Sequence, residues 1–133
     1  MQAQGVCRRK LLVVDDEPAI IELIRAILEK AGYAVMTAQD GRSALELIRR
    51  EAPSAAILDI NMPEMDGFSV LESLSQDPSY EMPKTLVLTA RMGIGDVEKA
   101  IALGASDYLS KPFTDMALLR RVGRLLGEGV HLN

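Results

Sequence analysis

The sequence predicts an α/β fold, a five-stranded parallel sheet with helices on both faces. Three observations lead to it. Five short apolar runs recur along the chain, bounded by turn residues in the manner of strands buried on both faces. Each run is followed by apolar residues at helical spacing, and parallel strands require such crossover helices, which by their right-handedness cover both faces. Polar residues with chemistry of their own stand directly after the runs, and in open α/β sheets sites form beyond the carboxyl ends of strands.

The elements follow in order. Residues 1–8 read as a mobile lead, 9–127 as one domain and 128–133 as a patternless tail. Lys10-Leu11-Leu12-Val13-Val14 reads as a strand that ends abruptly at Asp15-Asp16-Glu17. Pro18 suits the first turn of a helix, in which Ile20, Ile24, Ile27 and Ala31 share a face until Gly32 stops it. Ala34–Ala38 is the second strand, and Gly41-Arg42 leads into a helix with Ala44, Leu45 and Ile48 on one side, ending before Pro53.

The third strand, from Ala55, runs out at Asp59. Pro63 delays the next helix by forcing its predecessor toward extended geometry. Asp66 and Gly67 supply cap and turn chemistry for a helix marked by Phe68, Leu71 and Leu74. Thr85–Thr89 is the fourth strand, and Val97, Ile101 and Gly104 mark the fourth helix and its stop. Asp107-Tyr108-Leu109 is a short fifth strand ending at Ser110-Lys111-Pro112. Leu118, Val122 and Leu125 line the fifth helix, closed by Gly127.

Composition excludes several classes of protein. The chain has 133 residues, 48% hydrophobic and 26% charged, which suits one globular domain with a real core and not a disordered chain. A net charge of −4 argues against a dominant nucleic-acid surface, and Arg120, Arg121 and Arg124 read as a solvated helix face. No apolar run approaches the ~20 residues of a membrane span. A single cysteine, Cys7, permits no internal disulfide and fits a cytoplasmic setting.

The residues past the strands define the chemistry. They are Asp15, Asp16 and Glu17, then Asp59 and Asn61, then Thr89, then Lys111, with Gln39 and Asp40 after the second strand. Two like charges about 4 Å apart repel by roughly 4 kcal/mol at an effective dielectric near 20, so this acidic edge opposes folding unless it is compensated. Oxygen ligands without histidine or cysteine favour Mg²⁺ or Mn²⁺. A carboxylate such as Asp59 can accept a phosphoryl group as an acyl phosphate, with a metal, the Thr89 hydroxyl and the Lys111 ammonium neutralising its oxygens. Taken singly, the acids also read as loop residues or helix caps, and Thr89 and Lys111 as surface residues. Their convergence on one edge favours a metal-assisted phosphoryl site.

These residues resemble the receiver domain of two-component response regulators across nearly all of 9–127. The matching pieces are Leu12-Val13-Val14-Asp15-Asp16-Glu17, Leu58-Asp59-Ile60-Asn61-Met62-Pro63 with Met65-Asp66-Gly67, Leu88-Thr89-Ala90-Arg91, and Gly104 to Phe113. The resemblance implies a flavodoxin-like (βα)5 three-layer sandwich with strand order 2-1-3-4-5. It implies that Asp59 accepts a phosphoryl group from a phosphohistidine on a sensor histidine kinase or histidine phosphotransfer protein. It implies Mg²⁺ held by Asp15, Asp16, Asp59 and the backbone carbonyl of Asn61, with Lys111 and Thr89 on the phosphoryl oxygens. Thr89 and Tyr108 form the switch, the Lys111–Pro112 peptide is cis, and Asn61 and Arg91 tune the lifetime of the acyl phosphate. The output, an attached domain or a separate effector, is read by the surface of the fourth helix, fifth strand and fifth helix. Asp107 and Arg121 match positions used for pairing across that surface, whereas Ser106 and Ala117 lack the expected charges, which leaves homodimerisation there open.

The rival readings are weaker. A phosphohydrolase with an aspartate nucleophile would carry a second acid where Asn61 stands. The one histidine, His131, lies in the tail, which argues against a histidine phosphocarrier, and no P-loop or GxGxxG motif is present. The chain reads equally as a stand-alone regulator and as the amino-terminal receiver of a longer transcription factor or signalling enzyme.

Overall fold

Five parallel strands in the order β2-β1-β3-β4-β5 form the sheet of the computed structural model, which describes residues 9–62, 64–90 and 93–128. The lead with Cys7, Pro63, Arg91, Met92 and residues 129–133 with His131 lie outside the described residues, whereas Glu128, the first residue of the expected tail, is described. In chain order the elements are β1 (Lys10–Val14), α1 (Pro18–Lys30), β2 (Ala34–Ala38), α2 (Gly41–Glu51), β3 (Ala55–Asp59), α3 (Gly67–Gln76), β4 (Lys84–Thr89), α4 (Ile94–Ala102), β5 (Asp107–Ser110) and α5 (Asp115–Leu125).

Strand side chains alternate between the faces, so the sheet divides the interior into two cores. Leu11 and Val13 of β1, Ala55 and Ile57 of β3 and Leu86 and Leu88 of β4 pack with α1 and α5. Leu12, Val14, Ala56, Leu58 and Val87 face the other way, onto α2, α3 and α4. Helix starts are set locally. Pro18 opens α1, while the side chains of Asp40, Asp66 and Thr114 accept from the backbone N–H of Ser43, Ser69 and Ala117.

Two expected helix faces are rotated in the structure. The buried stripe of α1 is Ile21, Ile24, Ile27 and Leu28, whereas Ile20 is half-buried and Ala31 is exposed at the helix end. Both stripes satisfy helical spacing, and the one carrying Leu28 buries more apolar surface. Among the described side chains of α4 the buried one is the small Ala100, 2% exposed, while Ile101 is 48% exposed. Ala100 joins the core cluster that holds Phe68 and Leu71 of α3 and Val87 of β4.

Candidate functional site at the carboxyl edge of the sheet

The parallel register brings the ends of β1, β3, β4 and β5 to one edge, where Val14 pairs with Leu58, Asp59 with Leu88 and Thr89 with Ser110. Asp15, one residue beyond β1, is 1% exposed, and its Oδ1 accepts from the Glu17 N–H at 2.9 Å. Asp59 closes β3 and is 4% exposed. With Asp16 at the rim, each acid presents one carboxylate oxygen within 4.8 Å of the others.

Lys111 reaches this cluster from beyond β5. Its Nζ lies 2.9 Å from Asp15 Oδ2 and 3.6 Å from Asp59 Oδ1. Its main chain is tied to β4, the N–H donating to the Thr89 carbonyl at 3.0 Å, and the following peptide to Pro112 is cis. Asn61 donates from its backbone N–H to Asp59 Oδ1 at 3.2 Å and from its side-chain Nδ2 to Thr89 Oγ1 at 3.2 Å. The second of these bonds was not foreseeable from sequence, because the residues are 28 apart and meet only once β3 and β4 pair.

The loop after Asp59 is held by a close approach. Gly67 donates its N–H to the Ile60 carbonyl at 2.9 Å, and a Cβ on it would fall 2.7 Å from the Asp59 carbonyl oxygen. Only glycine lets the start of α3 sit this near the acid, so residue 67 positions the site without touching its chemistry.

The electrostatics are overloaded. Burial, and then the charge of Asp15, push the Asp59 carboxyl up to about 6, against the pull of Lys111 and the Asn61 N–H. Burial alone would lower Lys111, but the bond to Asp15 and the charges of Asp59, Asp15 and Glu17 outweigh it and hold the ammonium charged. Among the described residues, one ammonium, paired with Asp15 and Asp59, thus meets a cluster of three carboxylates. An all-oxygen donor set with surplus negative charge fits a hard divalent cation.

Tyr108 on β5 is 38% exposed and borders a gap lined by Ile60, Val87, Thr89, Asp96, Val97 and Ala100. Thr89, 1% exposed, therefore faces both the acidic edge and this gap. Arg121 pairs with Asp107 at 3.1 Å within the chain and also donates to the Tyr108 carbonyl.

This fold and site define a signalling receiver, and the chain belongs to the response regulator receiver domain family, whose sequence profile matches residues 11–123. It is similar to the response regulator MprA of Mycolicibacterium vanbaalenii, with 44% identity over 117 residues, covering 88% of this chain and 50% of that protein. It is 41% identical over 116 residues to the response regulator PleD of Caulobacter vibrioides, covering 87% of this chain and 26% of that one. The chain thus spans about a quarter to a half of the length of these relatives. Among solved structures, the chemotaxis protein CheY4 of Vibrio cholerae superposes with a TM-score of 0.85 at 34% identity, covering 90% of this chain and 100% of that one. The receiver domain of a sensor histidine kinase from Pseudomonas aeruginosa, with a magnesium ion coordinated in its active-site cleft, gives a TM-score of 0.82 at 30% identity, covering 92% and 100%.

Proposed function

We propose that this domain is a phosphorylation switch in which Asp59 is the phosphoryl acceptor. The observation that carries the reading is the convergence of Asp15, Asp16 and Lys111 on a buried carboxylate at the tip of a central strand. An oxygen of Asp59 attacks the phosphorus of a phosphohistidine on a sensor histidine kinase or a histidine phosphotransfer protein. The P–N bond breaks, the electron pair leaves on the imidazole, and a C–O–P acyl phosphate forms. Attack of water on the same phosphorus returns the carboxylate and inorganic phosphate, so the domain both loads and clears itself.

Asp15, Asp16, Asp59 and the Asn61 carbonyl would hold Mg²⁺, or Mn²⁺, which supplies charge neutralisation when bound. The chain's own residues do the positioning. Lys111, fixed through Asp15, supplies a cation for the phosphoryl oxygens. The Asn61 N–H orients the acceptor, and Asn61 with Arg91 sets how long water is kept from the phosphorus. Thr89 turns toward the phosphoryl group and Tyr108 moves into the gap it borders, remodelling the surface of α4, β5 and α5 for an attached output domain, an effector or a second copy. The ion pair of Arg121 with Asp107 inside the chain argues against a homodimer held by those two residues.

The receiver unit is residues 9–127, with 1–8 as lead and 128–133 as tail. Relatives two to four times its length support a role as one domain of a longer regulator, and the cytoplasm is the compartment proposed for it. No helix among the described residues is long and apolar enough to cross a membrane, and the domain itself needs no nucleic-acid contact.

Acetyl phosphate or phosphoramidate with Mg²⁺, followed by intact-mass measurement, is the test. One added phosphoryl group is expected on the wild-type protein, and none on Asp59→Asn or in EDTA. No gain in mass, or the same gain on the variant, refutes the assignment.

A further inference from the structure

We infer that the side chain of Asn61 is a resting latch on Thr89, so that Asn61 is a positioning residue for the switch. This rests on Asp59 being the phosphoryl acceptor. Asn61 is exposed, and a solvated amide would be the ordinary state of its side chain. Instead its Nδ2 reaches across from the β3 loop to Thr89 Oγ1 at 3.2 Å, while its main-chain N–H holds Asp59 Oδ1 at 3.2 Å. One residue therefore grips the acceptor carboxylate with its backbone and the neighbouring hydroxyl with its side chain.

The coupling follows from hydrogen-bond chemistry. The amide occupies one lone pair of the Thr89 hydroxyl and holds Oγ1 toward Asn61. For Thr89 to turn its hydroxyl onto a phosphoryl oxygen, that bond must break. Formation of the acyl phosphate at Asp59 also moves the negative charge from the carboxylate oxygens to the phosphoryl oxygens, and a charge-assisted bond from an N–H is about twice as strong as a neutral one. Loading thus loosens the Asn61 main chain at the moment Thr89 has to be released. The latch weighs on the balance between the two switch states. It is a different effect from the lifetime of the acyl phosphate, because truncating the side chain leaves the backbone carbonyl and N–H in place.

The test is methyl NMR of Thr89 in the full chain, with intact-mass measurement after acetyl phosphate and Mg²⁺ as the companion readout. In unmodified Asn61→Ala the Thr89 methyl resonance is expected to move toward its position in phosphorylated wild type, with the second state about two- to tenfold more populated, the weight of one neutral hydrogen bond. Truncation at an exposed site opens no cavity, and Asn61→Asp gives a second variant of the same size. Its carboxylate accepts from the Thr89 hydroxyl, so the resonance is expected to stay nearer the resting position. A Thr89 resonance in Asn61→Ala that coincides with wild type, in protein that still gains one phosphoryl group, overturns the latch and leaves Asp59 as acceptor. Equal displacement in both variants also overturns it. A wild-type protein that gains no phosphoryl group removes the reading beneath the latch, and the latch with it.

Discussion

Replacing Asp59 by Asn tests whether the acidic edge costs the fold stability. The substitution keeps the shape of the side chain and removes its charge. Burial and Asp15 raise the carboxyl from its ordinary 3.8 to about 6. At about 1.4 kcal/mol for each tenfold in proton affinity, holding it ionised costs the folded state roughly 3 kcal/mol. Between pH 3.8 and about 6 the folded protein keeps a proton that the unfolded chain has released. Wild-type stability therefore falls as pH rises through this window and stays at the lower value above it. The variant lacks that titration. In EDTA the two proteins are expected to unfold alike below pH 4 and to diverge above it. At pH 8 the variant should be more stable by up to about 3 kcal/mol, or roughly 10 °C in melting temperature for a domain of this size. Urea unfolding at a series of pH values measures the gap. Mg²⁺ at a hundred times its Kd should return about 2.7 kcal/mol to the wild type and narrow the difference. A variant no more stable than wild type at pH 8 in EDTA would show that burial and the charge of Asp15 do not penalise the ionised Asp59 in the fold.

Two further outcomes follow from packing and burial. Gly67→Ala places a Cβ 2.7 Å from the Asp59 carbonyl oxygen and 2.8 Å from the Ile60 Cα, and an overpacked backbone contact costs about 1–3 kcal/mol. Gly123→Ala, inside α5 with nothing within 4 Å of the new atom, should instead stabilise by about 1 kcal/mol. Thermal melts of the pair give the opposite signs, and identical melts would refute the close approach at residue 67. Tyr33 donates to Glu128 at 2.7 Å, and burial followed by that bond raises its phenol to about 12. Stability should fall between pH 10 and about 12, where the unfolded phenol ionises first, and Tyr33→Phe should abolish this slope at a cost of about 1 kcal/mol at neutral pH.

The strands and their order of use were legible because apolar runs and the polar residues that end them are local signals. Lys10–Val14 followed by Asp15, and Ala55–Asp59, needed no tertiary information. Faces of short helices were less legible. Residues 20, 24, 27 and 31 and residues 21, 24 and 28 are both good helical stripes, and only packing against the sheet selects the second. The site shows the same division. Sequence placed Asp15, Asp59, Thr89 and Lys111 at one edge, but not that Lys111 sits closer to Asp15 than to Asp59, nor that Asn61 bridges to Thr89. Those distances depend on how far β5 and the β3 loop are drawn in, and a linear pattern carries no record of that. Gly67 read as turn chemistry, whereas its importance lies in the atoms of Asp59 and Ile60 lying against it.

The division of the interior by the sheet has a consequence for how such a domain tolerates change. One compartment holds Leu118 and Val122 with α1, and the other holds Leu71 together with Val87 and Ala100, which line the gap beside Tyr108. The backbone of β1, β3 and β4 stands between them as a bulkhead. The movement proposed for Thr89 and Tyr108 borders the second compartment and leaves the contacts of the first unchanged. The wall lets mutations accumulate on the two sides with little interference between them.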